Sequence, residues 1–266
     1  MKLQDVQATH DSRGIALDEV GVEGLRYPIL VADGQGSKRE TVATVAMSVS
    51  LGDKIKGAHL SRFVDVLHSC RDQLTAASVV AIAEQVRERM ETSSARVQMS
   101  FPYFLEREAP ATGARAFVEY VCAVTASSGT YGNSLILSAE VPVTSVCPCS
   151  KTISDRGAHN QRGRIIIDTI PAEHPTDIWF DELIDIAESA ASSPVYALLK
   201  RPDERHVTMA AYDNPVFVED MVRNVSQALN GSRRIQSYRV RAVNDESIHN
   251  HAAYAAVSWT APTGGV

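Results

Sequence analysis

Twice along the chain, two segments whose apolar residues alternate lead into two helix-periodic segments and then into two more alternating ones. This repeated order constrains the fold more than any motif does. Alternation in steps of two buries one face of a strand, whereas spacings of three and four bury one stripe of a helix. In the first pass residues 14–31 read as extended, and residues 41–51 place Val45, Met47, Val49 and Leu51 on one face. Leu60, Phe63, Val64 and Leu67 then fall at i, i+3, i+4, i+7, and Val79, Ile82, Ala83, Val86 and Met90 repeat that spacing behind the capping residue Thr75. Residues 96–104 and 116–124 read as strands, separated by a turn-rich stretch over 106–113.

The pattern restarts after the polar break at 127–133. Leu135, Leu137, Ala139, Val141 and Val143 alternate, and residues 164–168 form a second strand run. A helix opened by Thr176-Asp177 carries Leu183, Ile184, Ala187, Ala190 and Ala191. Another over 215–230 has Pro215 at its start, the stripe Val218, Met221, Val222, Val225, Leu229, and Gly231 past its end. Residues 235–243 and 252–259 close the pass as strands, with 244–251 between them. The expected fold is α+β: two ββααββ units in tandem, 1–130 and 131–266, with helices on one face of antiparallel sheets. The halves match in element order and not visibly in sequence.

Composition narrows the function classes. With 44% hydrophobic residues over 266 positions, the chain is ordinary globular material. No apolar run approaches the roughly 20 residues of a membrane helix, and the start is polar, so a soluble cytoplasmic protein without a membrane partner is expected. A net charge of −6 argues against nucleic acid as a partner, while leaving local arginine clusters free to hold a small anion. The four cysteines are expected as reduced thiols, with Cys70 and Cys122 as small buried hydrophobes.

The chemistry concentrates in Pro142-Val143-Thr144-Ser145-Val146-Cys147-Pro148-Cys149-Ser150-Lys151 and in His159-Asn160-Gln161-Arg162. A thiolate, a second thiol two residues on and an imidazole a short loop later supply the soft and borderline ligands that a zinc-like ion selects. Together with Asp11-Ser12-Arg13-Gly14-Ile15, Val20-Gly21-Val22-Glu23-Gly24-Leu25-Arg26-Tyr27-Pro28, Gly57-Ala58-His59-Leu60-Ser61-Arg62-Phe63, Arg201-Pro202-Asp203-Glu204 and Phe217-Val218-Glu219-Asp220, these blocks resemble the type IB GTP cyclohydrolase family over nearly the whole chain. The family's first-unit block often reads Gly-Thr-His-Met-Ser-Arg-Phe; here Ala58 and Leu60 replace the threonine and methionine and the histidine stays.

The resemblance implies the tunnelling fold, a homotetramer with active sites at subunit interfaces, and conversion of GTP and water to 7,8-dihydroneopterin triphosphate and formate. That product leads to folate and to deazapurine-modified tRNA nucleosides such as queuosine. It implies one divalent metal per site (zinc, manganese or iron) and no organic cofactor. The implied ligands are Cys147, His159, Glu204 and His249, with Glu204 or Cys147 loosening to open a position. Such an ion lowers the pKa of bound water from about 15.7 to about 7, enough to hydrate C8 of guanine. The implied catalytic set is Cys147, His159 and Glu219, where Glu219 anchors the guanine N1–H and N2–H donors. Taken without the family, Glu219 reads first as a surface acid favoured by a helix N-terminus. His59, Arg62, Lys151 and Arg162 are the further substrate-binding candidates, with Arg156, Arg201 and Arg205 also able to meet a triphosphate. Cys149 stays outside the ligand set, and His251 is expected to point away from His249 if that segment is extended. Two other readings compete. One is a nicotinamide-dependent nitrile reductase of the same fold, using Cys147 or Cys149 as nucleophile; the other is a purine or pterin binder with a structural zinc.

Overall fold

A computed structural model describes residues 5–7, 9–32, 38–70, 75–130, 132–173 and 178–262, with residues 76 and 77 by backbone only. In chain order the elements are β1 (Leu17–Ala32), β2 (Lys38–Leu51), α1 (Ser61–Ser69), α2 (Ala76–Met90), β3 (Ser94–Glu108), β4 (Arg115–Gly129), β5 (Gly132–Val146), α3 (Pro148–Ile153), β6 (Asn160–Pro171), α4 (Phe180–Ser189), β7 (Ser193–Pro194), α5 (Arg201–Asp213), α6 (Val218–Asn230), β8 (Ile235–Asp245) and β9 (Ala252–Thr260). The first six follow the expected ββααββ order. The second pass keeps it through β5, β6, α4, α6, β8 and β9, and inserts α3, β7 and α5.

The chain divides into two compact units. The first comprises Met1–Phe101, Ala123–Leu137 and His174–Thr176, the second Pro102–Cys122, Ser138–Glu173 and Asp177–Val266, so β3, β4 and β5 each contribute residues to both. Within the first unit β2 pairs antiparallel with β1 and β3, with Val45 opposite Met99 and Met47 opposite Val97. The alternation predicted for β2 is realised, since Val45, Met47, Val49 and Leu51 are all buried. Thr75 caps α2, its side chain accepting from Ser78 N while the Ser78 hydroxyl accepts from Thr75 N. On α1 the buried set is Phe63, Val66 and Leu67, whereas Leu60 and Val64 are 42% and 38% exposed. The expected stripe was therefore one overlapping register off. Positions 60, 63, 64, 67 and positions 63, 66, 67, 70 have the same spacing, and periodicity alone does not separate them. Cys70, last of the second set, is half-buried beside Gln85 rather than fully buried, while Cys122 is buried as expected.

In the second unit β8 lies between β6 and β9, and β7 pairs with β5. Leu135, Leu137, Ala139, Val141 and Val143 are fully buried along β5, and Ile165 and Ile167 along β6. All five predicted apolar positions of α6 are buried against the β8–β9 side. The helix starts at Val218 rather than Pro215, where the Asp220 carboxylate accepts the Phe217 N–H at 3.1 Å. Helix α4 starts at Phe180; the expected opening at Thr176-Asp177 lies outside the described residues. A buried polar network fastens α4 to the strands. Tyr120 donates to Glu188 at 2.5 Å, and Arg107 reaches Tyr120 at 3.1 Å and Glu188 at 2.9 Å. Burial pushes the Glu188 carboxyl above its ordinary range, and the hydrogen bond from Tyr120 and the Arg107 charge oppose that rise.

Helix α5 falls in a stretch to which the sequence periodicity assigns no element. Pro202 in its first turn needs no N–H partner, and Asp203 accepts the Lys200 N–H at 2.9 Å. Fully buried, Asp203 also accepts from Ala111 N and Thr112 N, both at 2.8 Å, and from the Thr112 hydroxyl at 2.7 Å. It thus ties the β3–β4 turn to the start of α5.

No helix among the described residues is long and apolar enough to cross a membrane.

Candidate functional site

Strand β5 ends at Val146, and Cys147 is the N-cap of α3, with Pro148 at a position where its missing N–H costs nothing. The Cys147 Sγ accepts from Ser150 N at 3.4 Å, and the Ser150 hydroxyl donates to the Cys147 carbonyl at 3.1 Å. Twelve residues later His159 leads into β6. The Cys147 N–H donates to the His159 carbonyl at 3.1 Å, and the His159 N–H donates to Ser150 Oγ at 3.1 Å. Two of the predicted ligands are therefore held side by side by backbone.

The other predicted groups divide. His249 sits in the exposed bend between β8 and β9, and Ser247 of the same bend lies 3.5 Å from His159 Nδ1. His249 and His251 do not point apart. The segment bends instead of running extended, and their rings stack at 5.2 Å between centroids and 10° between planes. Glu219 is exposed in the first turn of α6, and the stretch before that helix is tied to the cysteine strand by Val216 N donating to Val146 O at 3.2 Å. One end of the second unit thus gathers Cys147, His159, the His249 bend and the N-terminus of α6.

Glu204 is exposed in the first turn of α5, eight residues before the Tyr212 that contacts Lys151, a separation of about 12 Å along a helix. Among the described residues no three His, Cys, Asp or Glu side chains stand together as a ready metal site. Lys151 donates to the Tyr212 carbonyl at 2.5 Å and lies over the Tyr212 ring at 4.3 Å, which occupies one of its three N–H donors. Arg156, Arg162, Arg201 and Arg205 are exposed, as is Cys149, and all four cysteines are free thiols. In the first unit, His59 Nε2 lies 3.1 Å from Asp5, and Arg62 donates to the Arg89 carbonyl at 3.2 Å.

The donor chemistry fits a divalent ion of borderline softness. A cysteine and a histidine are joined through their backbones, a backbone N–H faces the sulfur, and His159 Nδ1 is engaged by Gln161 Oε1 at 3.0 Å, which leaves Nε2 free. Glu204 and His249 are exposed and do not stand together with this pair among the described residues. Gln161 and Asp203 lay inside the blocks quoted above, yet neither was given a role. The signals were there: a glutamine at the first buried position of a strand, and a proline-acid pair opening a helix.

A family model described as type I GTP cyclohydrolase folE2 matches residues 3–255. That description stops at type I and does not use the IB designation. The chain is 45% identical over 255 residues to GTP cyclohydrolase FolE2 of Geotalea uraniireducens, covering 96% of this chain and 93% of the relative. It is 44% identical over 257 residues to the FolE2 of Methylococcus capsulatus, covering 97% and 95%. Among solved structures, uricase from Arthrobacter globiformis superposes with a TM-score of 0.54 at 8% identity, covering 94% of this chain and 95% of that one. Urate oxidase from Bacillus subtilis 168 gives 0.53 at 7%, covering 91% and 98%. At such identities the likeness speaks for the tunnelling fold alone.

Proposed function

Since the chain belongs to the type I GTP cyclohydrolase folE2 family, we propose that it converts GTP and water to 7,8-dihydroneopterin triphosphate and formate. The observation that carries this reading on the chain itself is the backbone-locked pair Cys147 and His159 at the same end of the unit as the first turn of α6. Assignment to the IB branch within type I, and a destination in folate or queuosine synthesis, rest on the sequence blocks.

The proposed metal ligands are Cys147, His159, Glu204 and His249, all within residues 131–266, the half proposed to carry both metal and purine groups. When bound, a zinc, manganese or iron ion supplies Lewis acidity toward water at neutral pH. Glu219, with two acceptor oxygens on a helix N-terminus, matches the adjacent N1–H and N2–H donors of guanine and has no such pair to meet on adenine. Arg162 and the two remaining donors of Lys151 are proposed to meet the triphosphate. His59 and Arg62 are proposed to serve a neighbouring subunit's site within a homotetramer. Free thiols throughout support a reducing compartment, the cytoplasm.

The test is to strip the protein with chelator, add GTP with zinc, manganese or iron in separate reactions, and follow formate together with the fluorescent oxidised pterin. Both products are expected in step and only with metal. Cys147→Ala should abolish them along with most metal binding, whereas Glu219→Ala should keep the metal and lose turnover. Full activity in Cys147→Ala would overturn the placement.

A further inference from the structure

On β6 the buried face reads Gln161, Gly163, Ile165, Ile167, Thr169, Pro171, so a carboxamide occupies the first position of the row. Gln161 is only 7% exposed, and a side chain buried to that extent needs both ends of its amide satisfied. Its Nε2 lies 3.0 Å from Ser145 Oγ and its Oε1 3.0 Å from His159 Nδ1. Ser145 is 1% exposed on β5, and its Oγ also accepts from Asn244 Nδ2 at 3.0 Å, itself 2% exposed on β8. Three strands therefore contribute one residue each to a buried relay, and the relay ends on an imidazole ring.

The ring's two nitrogens are not equivalent under this arrangement. A carboxamide oxygen facing Nδ1 requires the proton there, which leaves the Nε2 lone pair free. In the structure Asn244 and Gln161 both donate to Ser145 Oγ, and the Gln161 oxygen is the end presented to His159. The backbone permits the relay because position 163 is glycine. A Cβ there would stand 2.3 Å from Asn244 Oδ1 and 2.9 Å from the Val243 carbonyl.

We propose that Gln161, anchored by Ser145 and Asn244, is the positioning residue that fixes His159 in the Nδ1–H tautomer and aims its Nε2 as a metal ligand. This rests on the proposed function for the identity of the ligand, though the tautomer itself is a property of the metal-free chain. Losing such an outer hydrogen bond costs about 10- to 100-fold in metal affinity.

Three forms separate the possibilities: wild type, Gln161→Met, which keeps the volume without the hydrogen bonds, and Gln161→Glu, which keeps an acceptor toward His159 and can accept from Ser145. Zinc affinity is read by competition with a fluorescent chelator. The protonated ring nitrogen is read in metal-free, ¹⁵N-histidine-labelled protein at mildly alkaline pH, with His159 assigned by its loss in His159→Ala. Gln161→Met is expected to weaken zinc about 10-fold or more and to lose the single-tautomer signature, and Gln161→Glu to retain both within about threefold. Wild-type affinity in Gln161→Met overturns the proposal, as does a proton on Nε2 in the wild type, or equal weakness in both variants. A wild type that binds zinc and shows the tautomer but releases no formate from GTP would sink the functional reading and leave the positioning role standing.

Discussion

Asp203 shows how one carboxylate can decide where two segments meet. Burial pushes its carboxyl up, but the Thr112 hydroxyl and the N–H groups of Lys200, Ala111 and Thr112 outweigh that and hold it well below the usual carboxylate range. A depressed folded-state pKa contributes stability that is complete above the unfolded value, about 3.9, and is lost as pH falls toward the folded one. Asp203→Asn turns an amide nitrogen toward an N–H donor and should be less stable than wild type at pH 7. The gap in denaturation midpoint is expected to narrow below about pH 4. A gap of constant size from pH 7 to pH 3 would show that the charge is not what matters. Gly163 is a second such point. Gly163→Ala has to displace Asn244, so a lower melting temperature and weaker zinc binding are expected together, read by thermal denaturation and chelator competition.

At the level of elements, the stripe on α6 was legible because five apolar residues sit between clear boundaries and all are buried. Met221→Ala should cost about 2–5 kcal/mol in chemical denaturation, while Val64→Ala on the exposed side of α1 should stay within about 0.5 kcal/mol for the isolated chain. The α1 register was not legible, since nine residues leave two overlapping stripes with identical spacing. Helix α5 was hidden for a different reason. Its only buried residues are Asp203 and Ala211, so it lacks the apolar periodicity by which a helix announces itself, and polar contacts at its ends hold it instead. The Cys147–His159 pairing was legible in residue type and not in geometry, which depends on two backbone hydrogen bonds and the Ser150 hydroxyl. The relay behind His159 joins residues up to 99 positions apart, a distance over which no local pattern exists.

For the molecule as a whole, β9 is exposed along most of its length, with Tyr254 67% and Val257 38% accessible, an unusual state for a strand carrying large apolar side chains. A homotetramer sharing sites between subunits would cover such surfaces. Light scattering is expected to give four chain masses, with activity per chain falling on dilution as the assembly separates; a fully active monomer would refute the shared site. The excursion over residues 148–158 is cinched at its base, where the Cys147 N–H meets the His159 carbonyl and the Ser150 hydroxyl bridges both strands of the neck. Past Lys151, which is held at Tyr212, the excursion can change length without altering the spacing of Cys147 and His159. A short flexible peptide spliced in beside the exposed Asp155 would be carried as a pendant, which makes this spot a natural port for a reporter tag on a working enzyme.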